Sequence, residues 1–475
     1  MFQIHGSGRS WAPAAAALAL AACAAVPDRV EPATARDPSS LASSQSFSAA
    51  PSTWPEEQWW RAYGDTQLDA LIEEAIAQSP TLAEAEARLR AADAVRAGRV
   101  AAAGASVSAN GFVVEQEQSQ NAGIPADFIP SGYEAFGRAT LDFSYELDFW
   151  GRNRAGIEAA TSQARAAAAD AAQARLALST AIAAAYADLA RLHANRAILE
   201  RSLEVRSETA TLVTRRVEVG LDNLGAQRQA EAGPPATRAD IAFIDELIAQ
   251  TRNRLASLLG AGPDRGLAIA PPQAPALHAF GLPQNLAVDL VGRRPDLVAA
   301  RWRAEAATAS TREARAAFYP NVNLMAFIGT EALGLDNLTQ ESSRIGSIGP
   351  AISLPIFDSG RLGANLQRAD AERDAAVAAY NGALSEALHE VADVAASERS
   401  LSVRLAESRA ALAANEEAYR IARQRYEGGL ATYLSVLITE DSLLAQRRSV
   451  ADLESRAFVL DVALVRALGG GFGAS

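Results

Sequence analysis

Thr140-Leu141-Asp142-Phe143-Ser144-Tyr145-Glu146-Leu147-Asp148-Phe149-Trp150-Gly151-Arg152 is the stretch on which the fold turns. Leu141, Phe143, Tyr145, Leu147 and Phe149 point one way; Thr140, Asp142, Ser144, Glu146 and Asp148 point the other. A period of two marks a strand with one apolar and one polar face. Its partner is expected at about 105–118, across a polar loop through Asn121 to Tyr133. A second pair follows. Val322, Leu324, Ala326 and Ile328 share a face after Pro320, and the chain returns through Ile348, Pro350, Ile352, Leu354 and Ile356 after the loop Gly334 to Gly346. About ten residues is the length of a membrane-spanning β-strand. Phe149, Trp150, Phe318, Tyr319 and Phe357 gather at the helix-proximal ends, as in an interfacial girdle. The competing reading is a soluble sheet packed on helices. Pro350 and Pro355 give it weight, because proline weakens a central ladder.

In lipid the strand count decides the assembly. Four strands cannot close a barrel, and open sheet edges are not tolerated in a bilayer. Several chains must then share one barrel: two would give eight strands with a filled interior, three would give twelve with a lumen. Asp142, Glu146 and Asp148 would line that interior and bias it toward cations.

Outward from the hairpins the chain repeats itself. Pro80-Thr81-Leu82 opens one Ala-rich helical stretch and Pro295-Asp296-Leu297 another. Trp150-Gly151-Arg152 is answered by Ser359-Gly360-Arg361, and Val219-Gly220-Leu221 by Gly428-Gly429-Leu430. A repeat of this size is a duplicated structural unit: helix, strand pair, long helix, tight break, return helix. From Arg152 to Val219 there is no proline and one glycine, enough for a helix of roughly 100 Å. Ile182, Tyr186, Leu189, Leu192, Leu199 and Leu203 form its seam, and Leu384, Leu388, Val391, Val394, Leu401 and Leu405 show the same order of gaps. Spacing by threes and fours favours coiled-coil packing. The glycine at each break suits a helix end that needs a left-handed residue. Gly233-Pro234-Pro235 is expected to kink or break the first return helix, with no counterpart in the second repeat.

Composition narrows the function. Ala dominates, aromatics are 6% and the net charge is −12, which argues against a nucleic-acid partner. A single cysteine excludes a disulfide framework and a cysteine zinc site. His5, His193, His278 and His389 are scattered, and no cofactor is expected. Glu73-Glu74 and Glu416-Glu417 sit adjacent on helices and point apart, so no nucleophile–base set converges and no enzyme is expected.

Residues 1–22 read as an export signal: Arg9, then the short apolar run Trp11 to Ala22, too short to span a bilayer. The run ends in Leu20-Ala21-Ala22-Cys23, which resembles the bacterial lipobox; that resemblance makes Cys23 the lipidated, palmitate-bearing N-terminus. Ala24 rather than aspartate follows it, which in that pattern favours passage to the outer membrane. Residues 23–53, rich in Pro, Ser and Ala, are expected to form a tether. The first repeat is placed at 54–260, with its hairpin at about 105–149 and its helical pair at 152–259. A Pro/Gly-rich linker covers 261–284. The second repeat is placed at 285–468, with its hairpin at about 320–357 and its helical pair at 360–468, before a tail at 469–475. The linker, residues 54–75 and the tail are candidates for a small collar.

Trp59-Trp60-Arg61, Arg293-Arg294-Pro295-Asp296-Leu297, Phe318-Tyr319-Pro320 and Leu354-Pro355-Ile356-Phe357-Asp358-Ser359-Gly360-Arg361, in this order behind a lipobox, carry a family resemblance. Over essentially the whole mature chain the sequence resembles the outer-membrane factor family, the TolC-like exit ducts, and within it the lipoproteins of the NodT and OprM type. The resemblance implies a mainly α fold with a membrane β part. It implies a homotrimer with a twelve-stranded barrel in outer-membrane lipid, continued by a coiled-coil α-barrel across the periplasm. The implied partners are a periplasmic adaptor and an inner-membrane transporter of the RND type. The implied function is passive efflux of small toxic compounds. An exit duct for type I protein secretion is the alternative, and a periplasmic adaptor lipoprotein a more distant one, since adaptors carry one hairpin where this chain has two.

By the same resemblance Tyr426 matches a tyrosine that helps hold the closed state, and Leu434, in Tyr433-Leu434-Ser435-Val436-Leu437, matches an apolar constriction. Glu427 stands where a basic residue often follows that tyrosine, and Ile438 where the motif often ends in aspartate, so a more apolar closure is expected. Gly220, Leu221, Gly429, Leu430 and Thr432 mark the hairpin tips that would dock the adaptor.

Overall fold

The computed structural model describes residues 31–119, 121, 125, 127, 130–273, 277 and 280–473. The lipobox with Cys23, His5 and His278 lie outside these residues. Helices α1 (Thr66–Gln78) and α2 (Pro80–Ala102) lead into strands β1 (Ser106–Glu117) and β2 (Tyr133–Glu146). Helix α3 (Arg152–Glu218) and its return α4 (Leu224–Leu258) complete the first repeat. A short α5 (Asp264–Leu267) and α6 (Leu286–Arg293) precede the second repeat: α7 (Pro295–Ala316), β3 (Asn321–Leu333), β4 (Arg344–Ser353), α8 (Arg361–Glu427) and α9 (Tyr433–Ala467). The twin long helices are 67 residues each and the twin return helices 35 each. Among the described residues no helix is long and apolar enough to cross a membrane.

The chain divides into two compact units. The first holds the sheet, an antiparallel meander in the order β1-β2-β3-β4 whose outer edges, β1 and β4, are unpaired among the described residues. The register places Val107, Phe143, Ala326 and Ile348 in one row across the sheet, and Ser108, Asp142, Phe327 and Ser347 in the row beside it on the other face. Val107, Leu141, Ile328, Ile348 and Ile352 of the apolar face are all more than half exposed on the single chain. Pro350 pairs with Leu324 on β4, the last strand of the chain's own sheet.

Two strand ends fall short of expectation. The alternation that was to reach Phe149 stops at Glu146, and the return strand stops at Ser353 rather than running through Ile356. The helix starts are the cause. Asp148 accepts hydrogen bonds from the Asn153 and Arg154 amides at 3.2 and 2.9 Å, capping α3. Asp358 does the same for α8 through the Leu362 amide at 2.8 Å, and Pro355 has no amide hydrogen for a ladder. The Trp150 ring stacks on Tyr319 with centroids 4.8 Å apart, and its indole N–H donates to the Pro320 carbonyl at 2.8 Å.

The second unit holds the helical seams. Ile182, Tyr186, Leu189, Leu192 and Leu199 are buried on α3, as are Leu384, Leu388, Val391, Val394 and Leu401 on α8; Leu203 and Leu405 are half-buried. Each such side chain contributes about 1.5–3 kcal/mol relative to an exposed one. The recurring motifs explain themselves here. Trp59, Trp60 and Tyr63 join α1 and Ile269 in the core around α3. Arg294, buried, forks onto Asp296 at 2.6 and 3.0 Å, reaches Glu390 of α8 at 2.6 Å and donates to the Ala467 carbonyl at the end of α9.

Two further expectations are corrected. From Arg36 onward the N-terminal segment is laid down on the protein rather than hanging as a tether. Leu41, Phe47, Ala49 and Trp54 pack on the core beside α6 and α8, the Arg399 guanidinium holds the Ser46 and Ser48 carbonyls, and Pro51 bridges to Leu282. Gly233-Pro234-Pro235 does not break the return helix: α4 runs unbroken from Leu224 to Leu258. The two prolines remove ladder donors to the Ala230 and Glu231 carbonyls. Burial of Ala230, Pro234 and Thr237 along one face fixes the helix regardless.

Candidate gate at the hairpin tips

Both tips are built alike because both sequences place glycine at the same point. Gly220 and Gly429 adopt a positive φ of 75°, where an L side chain would be strained. Leu221 N–H donates to the Arg216 carbonyl at 2.7 Å, and Leu430 N–H to that of Arg425 at 2.7 Å. This six-residue closure satisfies the last carbonyls of α3 and α8. It leaves Leu221 and Leu430 about two-thirds to three-quarters exposed, with Val219 and Leu224 beside the first. Asn223 caps α4 through the Ala226 amide at 3.0 Å, while Thr432 at the start of α9 makes no such side-chain cap.

Tyr426 is the buried centre of this region. Its hydroxyl donates to Asp222 Oδ2 at 2.8 Å, across from the second repeat to the first. The Arg216 guanidinium lies over its ring at 4.7 Å and faces Asp222 at 3.9 Å. Val213, Ala230, Tyr433 and Val436 complete the packing. Burial, and after it the Asp222 carboxylate, holds the Tyr426 phenol well above the usual tyrosine range. Burial and then Glu440 push Tyr433 up to about 12. Both phenols are therefore neutral at physiological pH.

The three residues matched to a gate do not form one cluster. Tyr426 is inside, whereas Leu434 and Ile438, one helical turn apart on α9, are more than half exposed on the face away from Tyr433 and Val436. Of the three acids expected in the barrel, Asp142 lies on the polar sheet face, accepting from Asn110 at 2.9 Å and Thr140 at 2.7 Å. Glu146 ends β2, and Asp148 lies past the strand as the cap of α3. Sequence reasoning noted Glu440 and Asp441 as acids just beyond Ile438 but missed their partner Arg206, and it missed Asp222 and Arg216. The one available signal for the burial of Glu440 was its position seven residues after Tyr433, on the buried face of α9. Among the described residues no group of three or more His, Cys, Asp or Glu is placed to hold a metal.

Comparison with known proteins matches this chain to a family. The family described as "Outer membrane efflux protein" matches residues 71–261 and 286–470, one span for each repeat. The multidrug resistance outer membrane protein MdtP of Shigella flexneri is 32% identical over 471 residues, 96% of this chain and 95% of its own length. The fusaric acid resistance protein FusA of Burkholderia cepacia is 33% identical over 362 residues, 75% of this chain and 68% of its own. The crystal structure of the outer membrane protein VceC of Vibrio cholerae superposes with a TM-score of 0.84 at 44% identity, covering 89% of this chain and 100% of that one. With both repeats matched and the twin hairpins in place, the chain belongs to the outer membrane efflux protein family.

Proposed function

We infer that three copies of this chain form the outer-membrane exit duct of a tripartite efflux system of the RND type, passing small toxic compounds without chemical change. One observation carries the reading: a four-stranded meander with both edges unpaired and an apolar face left bare. Such a sheet is stable in lipid only when neighbouring copies close it. Three copies supply twelve strands, enough for an open lumen. Asp142 and Glu146 then belong to the lumenal side, since charge on the lipid side is costly.

Cys23 carries the lipid anchor in this reading. The tips at Gly220-Leu221 and Gly429-Leu430-Ala431-Thr432 offer exposed leucines to a periplasmic adaptor. Leu434 and Ile438 face the tunnel as apolar rings, while Tyr426, bonded to Asp222, holds the second hairpin closed. The relatives' names, multidrug and fusaric acid resistance, support small-molecule export over protein secretion.

The test is electrophoresis of detergent-extracted outer membranes with and without boiling. A heat-dissociable trimer that forms ion channels in planar bilayers is expected, and a water-soluble monomer would overturn the reading. Labelling with radioactive palmitate should be lost in Cys23→Ser.

A further inference from the structure

Gly233-Pro234-Pro235 is the largest departure from symmetry between the return helices. The positions 209 residues on, by the offset that relates Leu224 to Tyr433, are Ser442, Leu443 and Leu444. The structure shows what packs there. A Cβ on Gly233 would stand 3.4 Å from Cδ of Arg206 on α3, so the aliphatic stem of that arginine lies against the glycine backbone. From this seat the guanidinium donates to Thr237 on α4 at 3.4 Å, to Glu440 on α9 at 2.9 Å and to Asp441 at 2.6 Å. Glu440 is only 3% exposed, so its carboxylate sits away from solvent beside this cation.

Among the described residues the equivalent positions are arranged differently. The counterpart of Arg206 is Asn415, which bonds the Ala411 carbonyl on its own helix. The counterpart of Glu440 is Glu231, held by Gln227 and Arg228 on its own helix. Two equivalent places in a duplicated chain therefore differ, and only one joins the repeats through a buried charge pair. A buried carboxylate stripped of its cation is costly. Parting α9 from α3 must move Glu440 into water or leave it unpaired.

We propose that Arg206, seated at Gly233 and bonded to Glu440 and Asp441, is a one-sided clamp that holds α9 against the first repeat, a restraint separate from the Tyr426–Asp222 bond. This rests on the duct reading and adds a positioning residue to it. Opening the second hairpin requires both restraints to break, whereas among the described residues nothing comparable ties α4 to α8 at the matching level.

Purified full-length protein in planar bilayers tests the clamp, each variant first shown to keep the heat-dissociable oligomer. R206M and E440Q should each raise conductance or open probability several-fold, on the order expected for loss of a buried charge-assisted bond. The double variant R206M/E440Q should rise no further than R206M, since coupled partners are not additive. R206M/Y426F should exceed either single variant. G233L, which crowds the arginine stem, should behave as R206M does. If R206M fails to assemble, E440Q carries the same comparison. Wild-type conductance in R206M and E440Q beside a raised value in Y426F overturns the clamp and leaves the duct standing. Wild-type protein that forms no channels overturns both.

Discussion

The Tyr186 hydroxyl on the first long helix donates to Asp65 Oδ2 at 2.7 Å, while Asp65 Oδ1 accepts from the Gln67 and Leu68 amides to cap α1. One carboxylate thus starts a helix and fixes it to the seam. Asp65→Ala removes a cap worth about 1 kcal/mol and a side-chain bond of similar size, roughly 2 kcal/mol together. Tyr186→Phe should cost about half as much, because the cap survives. Thermal melts followed by tryptophan fluorescence check the order.

Tyr426→Phe keeps the ring under Arg216 and deletes only the bond to Asp222. A hydrogen bond to a charged group is worth about 1.5 kcal/mol, so the open-to-closed ratio should rise roughly tenfold. Single-channel recording reads this directly. An unchanged ratio means the bond does not restrain opening.

Ile438→Asp places a carboxylate on the exposed face of α9, one turn from Leu434. In a trimer this makes a ring of three negative charges, which should increase cation selectivity and create block by divalent cations. Reversal potentials in a salt gradient, with and without added magnesium, measure both. If neither changes, Ile438 does not face the lumen.

His193 is half-buried, and burial, then Arg252 and Arg196, lower its pKa below the ordinary imidazole value of 6.5. Its folded value is below its unfolded one, so the unfolded chain binds the proton more readily. The stability associated with neutral His193 is complete above pH 6.5 and is lost as pH falls below it. His193→Gln should flatten this part of the pH dependence of the melting temperature. An identical slope in wild type and variant would assign the titration to another group.

Most of the architecture was legible because it is periodic. Alternation at 140–146, the seam gaps from Ile182 to Leu203 and their repetition from Leu384 to Leu405 each report a backbone period directly. What escaped was set by contacts between distant segments. The pattern of 147–149 still reads as strand, but Asp148 is drawn off by the amides of α3. Pro234 and Pro235 read as a break, yet packing at Ala230, Pro234 and Thr237 overrides the local loss. Arg206 and Glu440 lie 234 residues apart, and charged residues on a helix look solvated until their neighbour is known. Tyr426 was found by likeness of motif; its partner Asp222, 204 residues away, was not.

The unpaired margins of the sheet reach beyond architecture into inheritance. A subunit that cannot complete its own wall exposes its flaw to every neighbour it joins. In the proposed trimer a damaged allele expressed beside a sound one should therefore spoil most mixed assemblies, and export should fall by more than the loss of half the gene product would suggest.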